Sequence, residues 1–205
     1  PNPLYTSTER PDISRTPIPQ WDLINVRDYV TMSVQYSRGC PFDCEFCDIV
    51  VLNGRRPRVK STDQMLCEME SLHEAGWRGP VFIVDDNFIG NIASVKQFLP
   101  RLVDWQVRHG YPFKFMTEAS INLAQDGELV RLLSKANFHK VFIGIETPSA
   151  DSLKECGKKQ NVAADFSQAI KTLHQNGLQV MGGFIVGFDS DTESIFEQQI
   201  RFIQK

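Results

Sequence analysis

The sequence predicts an α/β fold in which parallel strands alternate with helices, as they do in β/α barrels. Three observations support it: an ordinary globular composition, five β-rich runs separated by helical patterns, and polar residues at the end of each predicted strand. Of the 205 residues, 41% are hydrophobic and 23% are charged, which is typical of soluble globular proteins. A domain of this length buries about 70% of the surface that its unfolded chain exposes, which is enough for a core.

The predicted strands are short apolar runs rich in β-branched and aromatic residues. They occupy residues 30–36, 81–84, 113–116, 141–145 and 180–186. Helix-like segments lie between and after them, at 62–75, 92–109, 127–136, 161–175 and 192–204. Strand–helix alternation repeated five times indicates a parallel sheet with right-handed crossovers.

Capping residues mark the expected helix boundaries. Side chains suited to N-caps stand before four of the helices, at Ser61, Asn91, Asp126 and Asp191. Glycines suited to the position after a helix follow three of them, at Gly76, Gly110 and Gly177. These signals predict well-defined helix ends and short connections.

Polar or small residues follow every predicted strand. They are residues 37–40, 85–87, 118–120, 146–147 and 187–189. In β/α barrels the carboxyl ends of the strands form the rim on which active sites are built. We therefore expect these five ends to converge on one functional site.

The first 29 residues form a predicted interdomain linker, and residues 30–205 form the predicted core domain. Five of the eleven prolines fall in the linker, and proline stiffens extended chain. Trp21 and Leu23 are candidates to dock it on an apolar surface. The chain begins at Pro1 without a methionine, which suggests a piece of a longer protein whose core domain is incomplete at its C-terminal end.

Charge and cysteine usage limit the possible partners and compartment. The net charge of -3 disfavours a nucleic-acid partner, for which a basic excess is expected. The sequence contains no signal-peptide pattern and no apolar run of transmembrane length. Five cysteines, three of them clustered, do not resemble a disulfide framework and favour the reducing cytoplasm. Contact with a membrane is expected only through a lipid substrate.

Cys40, Cys44 and Cys47 form a C-x3-C-x2-C motif directly after the first predicted strand. Thiolates bind zinc, copper(I) and iron–sulfur clusters. Structural zinc sites want four ligands, and the four histidines are distant in sequence. A redox disulfide needs only two cysteines. A [4Fe–4S] cluster with three thiolates leaves one iron open, as a substrate-binding cluster requires.

Several other patterns have plain structural interpretations when each is taken alone. Residues 85–87 are typical of a polar turn, and residues 183–187 are typical of a buried strand. The basic stretch 55–60 is typical of a solvated loop. Met65 and Met69 have core spacing on a helix. Cys67 and Cys156 have no nearby ligand partners and are expected to be inert thiols.

The cysteine motif, with aromatic Phe46 before its last cysteine, resembles the signature of the radical S-adenosylmethionine (SAM) superfamily. The resemblance implies a partial TIM-like (β/α) barrel of the radical SAM type, with five of about six units present here. It implies that Cys40, Cys44 and Cys47 hold a [4Fe–4S] cluster whose open iron binds SAM. It further implies reductive cleavage of SAM to a 5′-deoxyadenosyl radical.

The same resemblance implies SAM contacts at the other strand ends, and it identifies no residue that acts on the substrate. The amino group is expected at Asp85, Asp86 or Asn87. The ribose and methionine moieties are expected at Glu118, Ser120 and Glu146. The adenine is expected at Phe46, Gly183 and Gly187.

Longer strings resemble the cobalamin-binding radical SAM group that includes the hopanoid C-2 methylases. They are residues 19–24, 35–49, 84–91, 117–124 and 183–189. This resemblance implies a methyltransferase with an upstream cobalamin-binding domain, a lipid or other small-molecule substrate, and an electron donor such as flavodoxin or ferredoxin. Two alternatives stay open: a radical SAM enzyme of another type, such as an oxidative cyclase or methylthiotransferase, and a non-catalytic iron–sulfur or zinc module.

Overall fold

A computed structural model describes residues 9–205, and residues 1–8 of the predicted linker lie outside the described residues. The strands are β1 Met32–Val34, β2 Ser37–Arg38, β3 Arg58–Val59, β4 Pro80–Ile83, β5 Lys114–Glu118, β6 Phe138–Glu146 and β7 Gln179–Phe184. Five of them form one sheet in the order β1-β4-β5-β6-β7, and all its neighbouring pairs are parallel. The predicted parallel α/β fold is confirmed.

Helices connect the strands of this sheet. They are α1 Ile49–Asn53, α2 Thr62–Glu74, α3 Ile92–Arg108, α4 Gly127–Lys135, α5 Ala150–Glu155, α6 Lys159–Val162, α7 Phe166–Gln175 and α8 Ile195–Ile203. Helices α2, α3 and α4 agree with the prediction to within one residue, and Ser61, Asn91 and Asp126 cap them. The predicted glycines after α2, α3 and α7 all have positive φ. Among residues 9–205, no helix has the length and apolarity needed to cross a membrane.

The helix predicted at 161–175 begins later, at Phe166. Asp165 ends the preceding loop, and its carboxylate accepts a hydrogen bond of 2.9 Å from the backbone of Gln168. This side-chain cap sets the start of α7. The residues before it form the short helices α5 and α6, which the sequence pattern did not predict.

The prediction that Asp191 caps the last helix is wrong, because α8 follows Ser194 instead. Asp191 accepts hydrogen bonds from the backbone of Gly187 at 2.9 Å and Phe188 at 3.1 Å. Its other oxygen accepts from the Ser152 hydroxyl at 2.8 Å. Asp191 therefore closes the turn after β7 and ties it to α5.

Two predicted strands extend too far by two residues or more. The first was predicted over residues 30–36, but Val30 is 87% exposed and β1 covers only Met32–Val34. The fifth was predicted to residue 186, but β7 ends at Phe184, so Gly187 lies in the following loop. Conversely, β6 is longer than predicted, because its pairing with β5 already starts at Phe138.

The described part of the N-terminal segment packs against the core domain. Ile13 is 2% exposed, and Trp21 packs against the core together with Ile24 and Val26. The docking of Trp21 is confirmed, whereas Leu23 is 75% exposed and does not dock. A role of residues 1–29 as a link to another domain stays a prediction.

The basic stretch 55–60 is only partly solvated. Arg55 and Arg56 are exposed as predicted. Lys60 is 6% exposed, and its Nζ lies 2.6 Å from Oε1 of Glu68, which is fully buried on α2. Buried charges of this kind require a partner, so Lys60 fastens β3 to α2.

The core lies between the sheet and its helices. Met65 and Met69 are fully buried on α2, as predicted. Tyr36 follows β1 and stacks on Phe98 with the ring centroids 5.0 Å apart. These contacts anchor the end of β1 in the core, directly before the cysteine motif.

Asp85 fixes the same chain segment from the end of β4. One oxygen accepts from the backbone N–H of Tyr36 at 2.7 Å and the other from the hydroxyl of Ser37 at 2.6 Å. The carboxyl is 1% exposed, and burial raises its pKa from 3.8 to about 6. The protonated carboxyl is therefore favoured in the folded state at mildly acidic pH.

We predict that Asp85→Asn removes a pH-dependent loss of stability. A raised folded-state pKa gives stability that is complete below the unfolded pKa and is lost as pH rises through about 6. Between about pH 4 and pH 7 the parent should lose roughly 2–3 kcal/mol of unfolding free energy relative to the variant. Urea unfolding across this pH range measures it, with the exposed carboxylate variant Asp43→Asn as control. If the difference in unfolding free energy between the parent and Asp85→Asn does not change with pH, the raised pKa of Asp85 is contradicted.

Candidate active site

The three cysteines of the motif lie on a long loop between β2 and β3. These strands pair antiparallel, with Arg38 opposite Arg58, so the two ends of the loop lie side by side. Gly39 begins the loop with φ 103°, and a Cβ added there would lie 2.7 Å from the carbonyl oxygen of Gly54. Only glycine fits this backbone conformation and this close approach.

Backbone hydrogen bonds fix the loop at its base and at its tip. They join Cys40 N to Gly54 O at 3.2 Å, Cys47 N to Cys44 O at 3.0 Å, and Glu45 N to Cys156 O at 2.9 Å. Cys156 is buried after α5, so its carbonyl supports the loop tip from the far side of the site.

Arg10, in the N-terminal segment, supports the same loop. Its guanidinium donates to the carbonyls of Val50, Val51 and Leu52 at 3.2–3.5 Å. These carbonyls belong to α1, where the last turn of the helix leaves acceptors unsatisfied. A cation at this end also interacts favourably with the helix dipole.

The cysteine loop supplies three thiols as its donor set. Structural zinc sites have four protein ligands, whereas this motif contains three cysteines and no histidine. The donor set therefore fits an iron–sulfur cluster, which is held by thiolates, better than it fits structural zinc.

Side-chain amides donate to two of the three sulfurs. Asn87 Nδ2 lies 3.8 Å from Cys40 Sγ, and Gln160 Nε2 lies 3.9 Å from Cys44 Sγ. Burial raises the pKa of both thiols, so thiolate formation requires such donors or a bound metal. Gln160 Oε1 is buried without a hydrogen-bond partner among the described residues, an observation that fits a site completed by a ligand.

The three polar residues after β4 have different surroundings. Asn87 is 3% exposed, and besides Cys40 it bonds Ser120 through both ends of its amide. Asp86 is half-buried, and its Oδ2 accepts from Gly39 N at 2.8 Å and from Asn53 at 3.1 Å. Both oxygens of Asp85 accept from Tyr36 and Ser37, as described above. Only Asp86 has an oxygen, Oδ1, with no hydrogen bond within the described residues.

A cavity of about 350 Å³ lies beside this group. Pro41 and Phe42 of the cysteine loop form one wall, Asn87 and Ser120 another, and Arg56 a third. Ligand pockets have volumes of about 300–1,000 Å³. Glu118, at the end of β5, is half-buried, and burial followed by the nearby charge of Asp86 raises its pKa.

Glu146 ends β6 in an unusual backbone conformation. Its φ is 68°, and the pairing of β6 with β7 shifts register between Gly144 and Glu146. Asn161 donates to the carbonyls of Gly144 and Ile145 at 2.9 and 3.1 Å, which holds this bulge. Bulges and positive φ at non-glycine residues are found where a side chain is re-aimed into a site.

Lys158 is the buried partner of Glu146. The two side chains form an ion pair and are 11% and 9% exposed. The Lys158 ammonium also lies 5.6 Å from the ring centroid of Phe46, and Phe46 in turn contacts Phe188 at 6.3 Å. Phe46, next to the last cysteine, is thus brought together with the ends of β6 and β7.

The two glycines predicted to contact adenine have different settings. Gly183 lies within β7, where an added Cβ would meet the ring of Phe142 at 2.7 Å. Gly187 lies beyond the strand with φ 101°, and no atom within 4 Å would obstruct a Cβ. A side chain at Gly187 would therefore be strained by the backbone conformation alone.

Sequence reasoning missed Lys158, Gln160 and Asn161 as members of the site. They lie in a loop and a short helix with no recognisable motif. The run of polar residues at 158–161 gives no sign of which side chains are buried. A buried lysine becomes recognisable only when its carboxylate partner in space is known. The one available signal was the glycine at 157, which has a φ of 70° and lies against the cysteine loop, since an added Cβ would lie 3.0 Å from the carbonyl oxygen of Asp43.

The comparisons with known proteins agree with this geometry. An uncharacterized methyltransferase of Synechocystis sp. is 49% identical over 98% of this chain. The hopanoid C-2 methylase of Rhodopseudomonas palustris is 40% identical over the same share. The chain spans 38% of the length of each of these two relatives.

A solved structure shows the same fold at low sequence identity. It is the radical SAM methyltransferase TsrM from Kitasatospora setae, determined with cobalamin and a [4Fe–4S] cluster bound. Its TM-score is 0.74 at 20% identity, and the match covers 85% of this chain and 34% of that one. The predicted partial barrel is confirmed.

The family comparison covers most of the chain. Residues 34–203 match the radical SAM superfamily, a range that begins in β1 and includes the cysteine loop and every strand end described above. With the fold and the close relatives in agreement, the chain belongs to the radical SAM superfamily.

Proposed function

We propose that this chain is the SAM-cleaving core of a methyltransferase. One observation carries the proposal: Cys40, Cys44 and Cys47 lie on one loop fixed by backbone hydrogen bonds, and side-chain amides donate to two of their sulfurs. When bound, a [4Fe–4S] cluster and SAM supply reductive cleavage of SAM to a 5′-deoxyadenosyl radical. The residues around the loop bind and orient these groups.

Two amides and one ammonium stabilise the thiolates. Asn87 and Gln160 donate to Cys40 and Cys44, and the nearby charge of Lys158 favours the thiolate form of Cys44. Charge-assisted hydrogen bonds of this type are stronger than neutral ones. Hydrogen bonds to the cysteine thiolates also fix the orientation of these cluster ligands.

The remaining rim residues bind SAM. Asp86 has one carboxylate oxygen that accepts no hydrogen bond within the described residues and is assigned to the SAM ammonium, while Asp85 and Asn87 only hold the loop. Glu118, Ser120 and Glu146 contact the ribose and methionine moieties. Phe46, Gly183 and Gly187 contact the adenine, and the open space around Gly187 permits close approach of backbone to a flat ring.

The reaction is methylation of an unactivated carbon on a hopanoid-like lipid or another small molecule. The name of the 40% identical relative, a hopanoid C-2 methylase, supports this substrate class. Cobalamin, bound outside the present chain by an upstream domain, carries the methyl group, and flavodoxin or ferredoxin supplies the electron. The protein acts in the cytoplasm, where reducing conditions keep cluster thiols available, and a lipid substrate brings it to a membrane.

We predict that Asp86→Asn weakens SAM binding about tenfold or more, because a hydrogen bond to a charged group contributes about 1.5–3 kcal/mol. The asparagine oxygen still accepts from Gly39, so the loop keeps its support. Equilibrium dialysis of SAM against the cluster-loaded protein measures the change. Asp43→Asn, on the same loop but exposed and paired with Arg55, is the matched control. Parent-like affinity in Asp86→Asn would assign the ammonium to another group.

We predict that SAM cleavage and methylation depend on different parts of the protein. The present chain, with its cluster and a strong reductant, should form 5′-deoxyadenosine, because the rim residues lie within it. Methylated hopanoid should appear only with the longer protein and methylcobalamin. Product analysis by mass spectrometry measures both. Methylation by the present chain without cobalamin would contradict this division.

A further inference from the structure

A second cluster of metal-ligating side chains lies away from the cysteine loop. Glu70 and His73 stand one turn apart on α2, and His109 directly follows α3. One ligand atom from each lies within 4.8 Å of those of the other two. Helices α2 and α3 end where the chain turns back toward the starts of β4 and β5, so this cluster lies on the rim opposite the active site.

The hydrogen bonds of His109 determine which of its nitrogens is free. Nδ1 lies 2.9 Å from the carbonyl oxygen of Trp105, and a carbonyl only accepts, so Nδ1 carries a proton. In the neutral ring, Nε2 therefore presents a lone pair. Nε2 lies 3.3 Å from Oε1 of Glu70, so a lone pair faces a carboxylate oxygen unless a proton or a metal ion lies between them.

Glu70 is held in position in a similar way. Its Oε2 accepts a 2.7 Å hydrogen bond from the indole N–H of Trp105, and this bond lowers its pKa. Trp105 thus supports both ligands, one through its carbonyl and one through its indole. Metal-binding histidines and carboxylates are commonly oriented by such outer hydrogen bonds.

The distance between two of the three ligand atoms matches that around a zinc-like ion. With bonds of about 2.0–2.1 Å, tetrahedral ligand atoms lie about 3.3 Å apart, the separation found between His109 Nε2 and Glu70 Oε1. The His73 ring lies 4.7 Å from that of His109 between centroids, and one of its ring nitrogens lies within 4.8 Å of the ligand atoms of Glu70 and His109.

One nearby group opposes cation binding. The guanidinium of Arg78 lies 2.6 Å from the backbone carbonyl of His73. It is exposed, so solvent screens its charge. The three side chains supply two nitrogens and one carboxylate oxygen. A tetrahedral ion bound by them has one coordination position left for water.

We propose that Glu70, His73 and His109 form a site for a divalent transition-metal ion of the zinc class, independent of the cluster. The bound ion joins the C-terminal ends of α2 and α3, where the Trp105–Glu70 hydrogen bond also bridges the two helices. It acts as a structural clamp on the rim opposite the cysteine loop.

Co²⁺ titration of the cluster-loaded protein tests the proposal. Cobalt in a nitrogen and oxygen site shows tetrahedral d–d absorption without the intense thiolate charge-transfer band that binding at free cysteines would give. We expect one Co²⁺ per chain with that signature, displaced by Zn²⁺. Zinc should also raise the unfolding temperature, because an ion that binds only the folded state stabilises it.

Variants separate a metal site from a simple ion pair. His73→Ala and Glu70→Gln should each weaken Co²⁺ binding at least ~100-fold, since even the loss of an outer partner costs 10–100-fold. Trp105→Phe should weaken it about tenfold. His174→Ala, at an exposed histidine, is the matched control and should bind like the parent.

Two results would overturn the proposal. One is the absence of Co²⁺ uptake at micromolar concentrations, with NMR showing His109 doubly protonated and paired with Glu70. The other is equal Co²⁺ affinity in the parent, His73→Ala and Glu70→Gln. If the variants unfold more easily without metal but bind it normally, the cluster is an ion pair only.

Discussion

Three consecutive side chains after β4 hold the chain that leads into the cysteine loop, and the whole site depends on their register. The contacts advance in step along both segments: Asp85 with Tyr36 and Ser37, Asp86 with Gly39, and Asn87 with Cys40. They continue the parallel pairing of β1 with β4, whose last matched residues are Val34 and Ile83. A slip of one residue in that pairing would displace all three contacts together.

The opposite side of the loop is held by the region after β6. Here the bulge at Glu146 places a carboxylate against Lys158, and the next residues bring Gln160 to Cys44. The glycine at 144 permits this, because an added Cβ would lie 2.6 Å from Lys158 Nζ. The thiols therefore sit between two amide donors, one from the segment after β4 and one from α6, beside a buried ammonium. Hydrogen bonds and charge of this kind tune the potential of an iron–sulfur cluster.

Much of the fold followed from the sequence because the signals were local. Apolar runs, N-cap side chains and C-terminal glycines predicted five strands and three of the longer helices closely. The cysteine motif and the polar strand ends predicted where the site lies. Local signals failed where the role of a residue depends on a partner that is distant in sequence. Asp191, for example, accepts a hydrogen bond from Ser152 and closes a turn instead of capping α8.

The same reason explains what was missed within the site. The sequence does not distinguish the roles of Asp85, Asp86 and Asn87. Their hydrogen-bond partners within residues 9–205 separate the loop supports from Asp86, the one of the three with a carboxylate oxygen that accepts no hydrogen bond there. Lys158 and Gln160 join the site through the β6 bulge, which no sequence pattern marks. The Glu70, His73 and His109 cluster likewise combines two helices that are adjacent only in the folded protein.

The central claim is that three thiols hold a cluster with one iron open to SAM, and electron paramagnetic resonance tests it most directly. After anaerobic reconstitution and reduction, the protein should contain about four irons per chain and give a cluster signal that changes shape when SAM is added. Alanine at Cys40, Cys44 or Cys47 should abolish iron loading, whereas Cys67→Ala, at an exposed thiol, should not. Stoichiometric zinc without iron uptake, or a cluster signal unchanged by saturating SAM, would contradict the account.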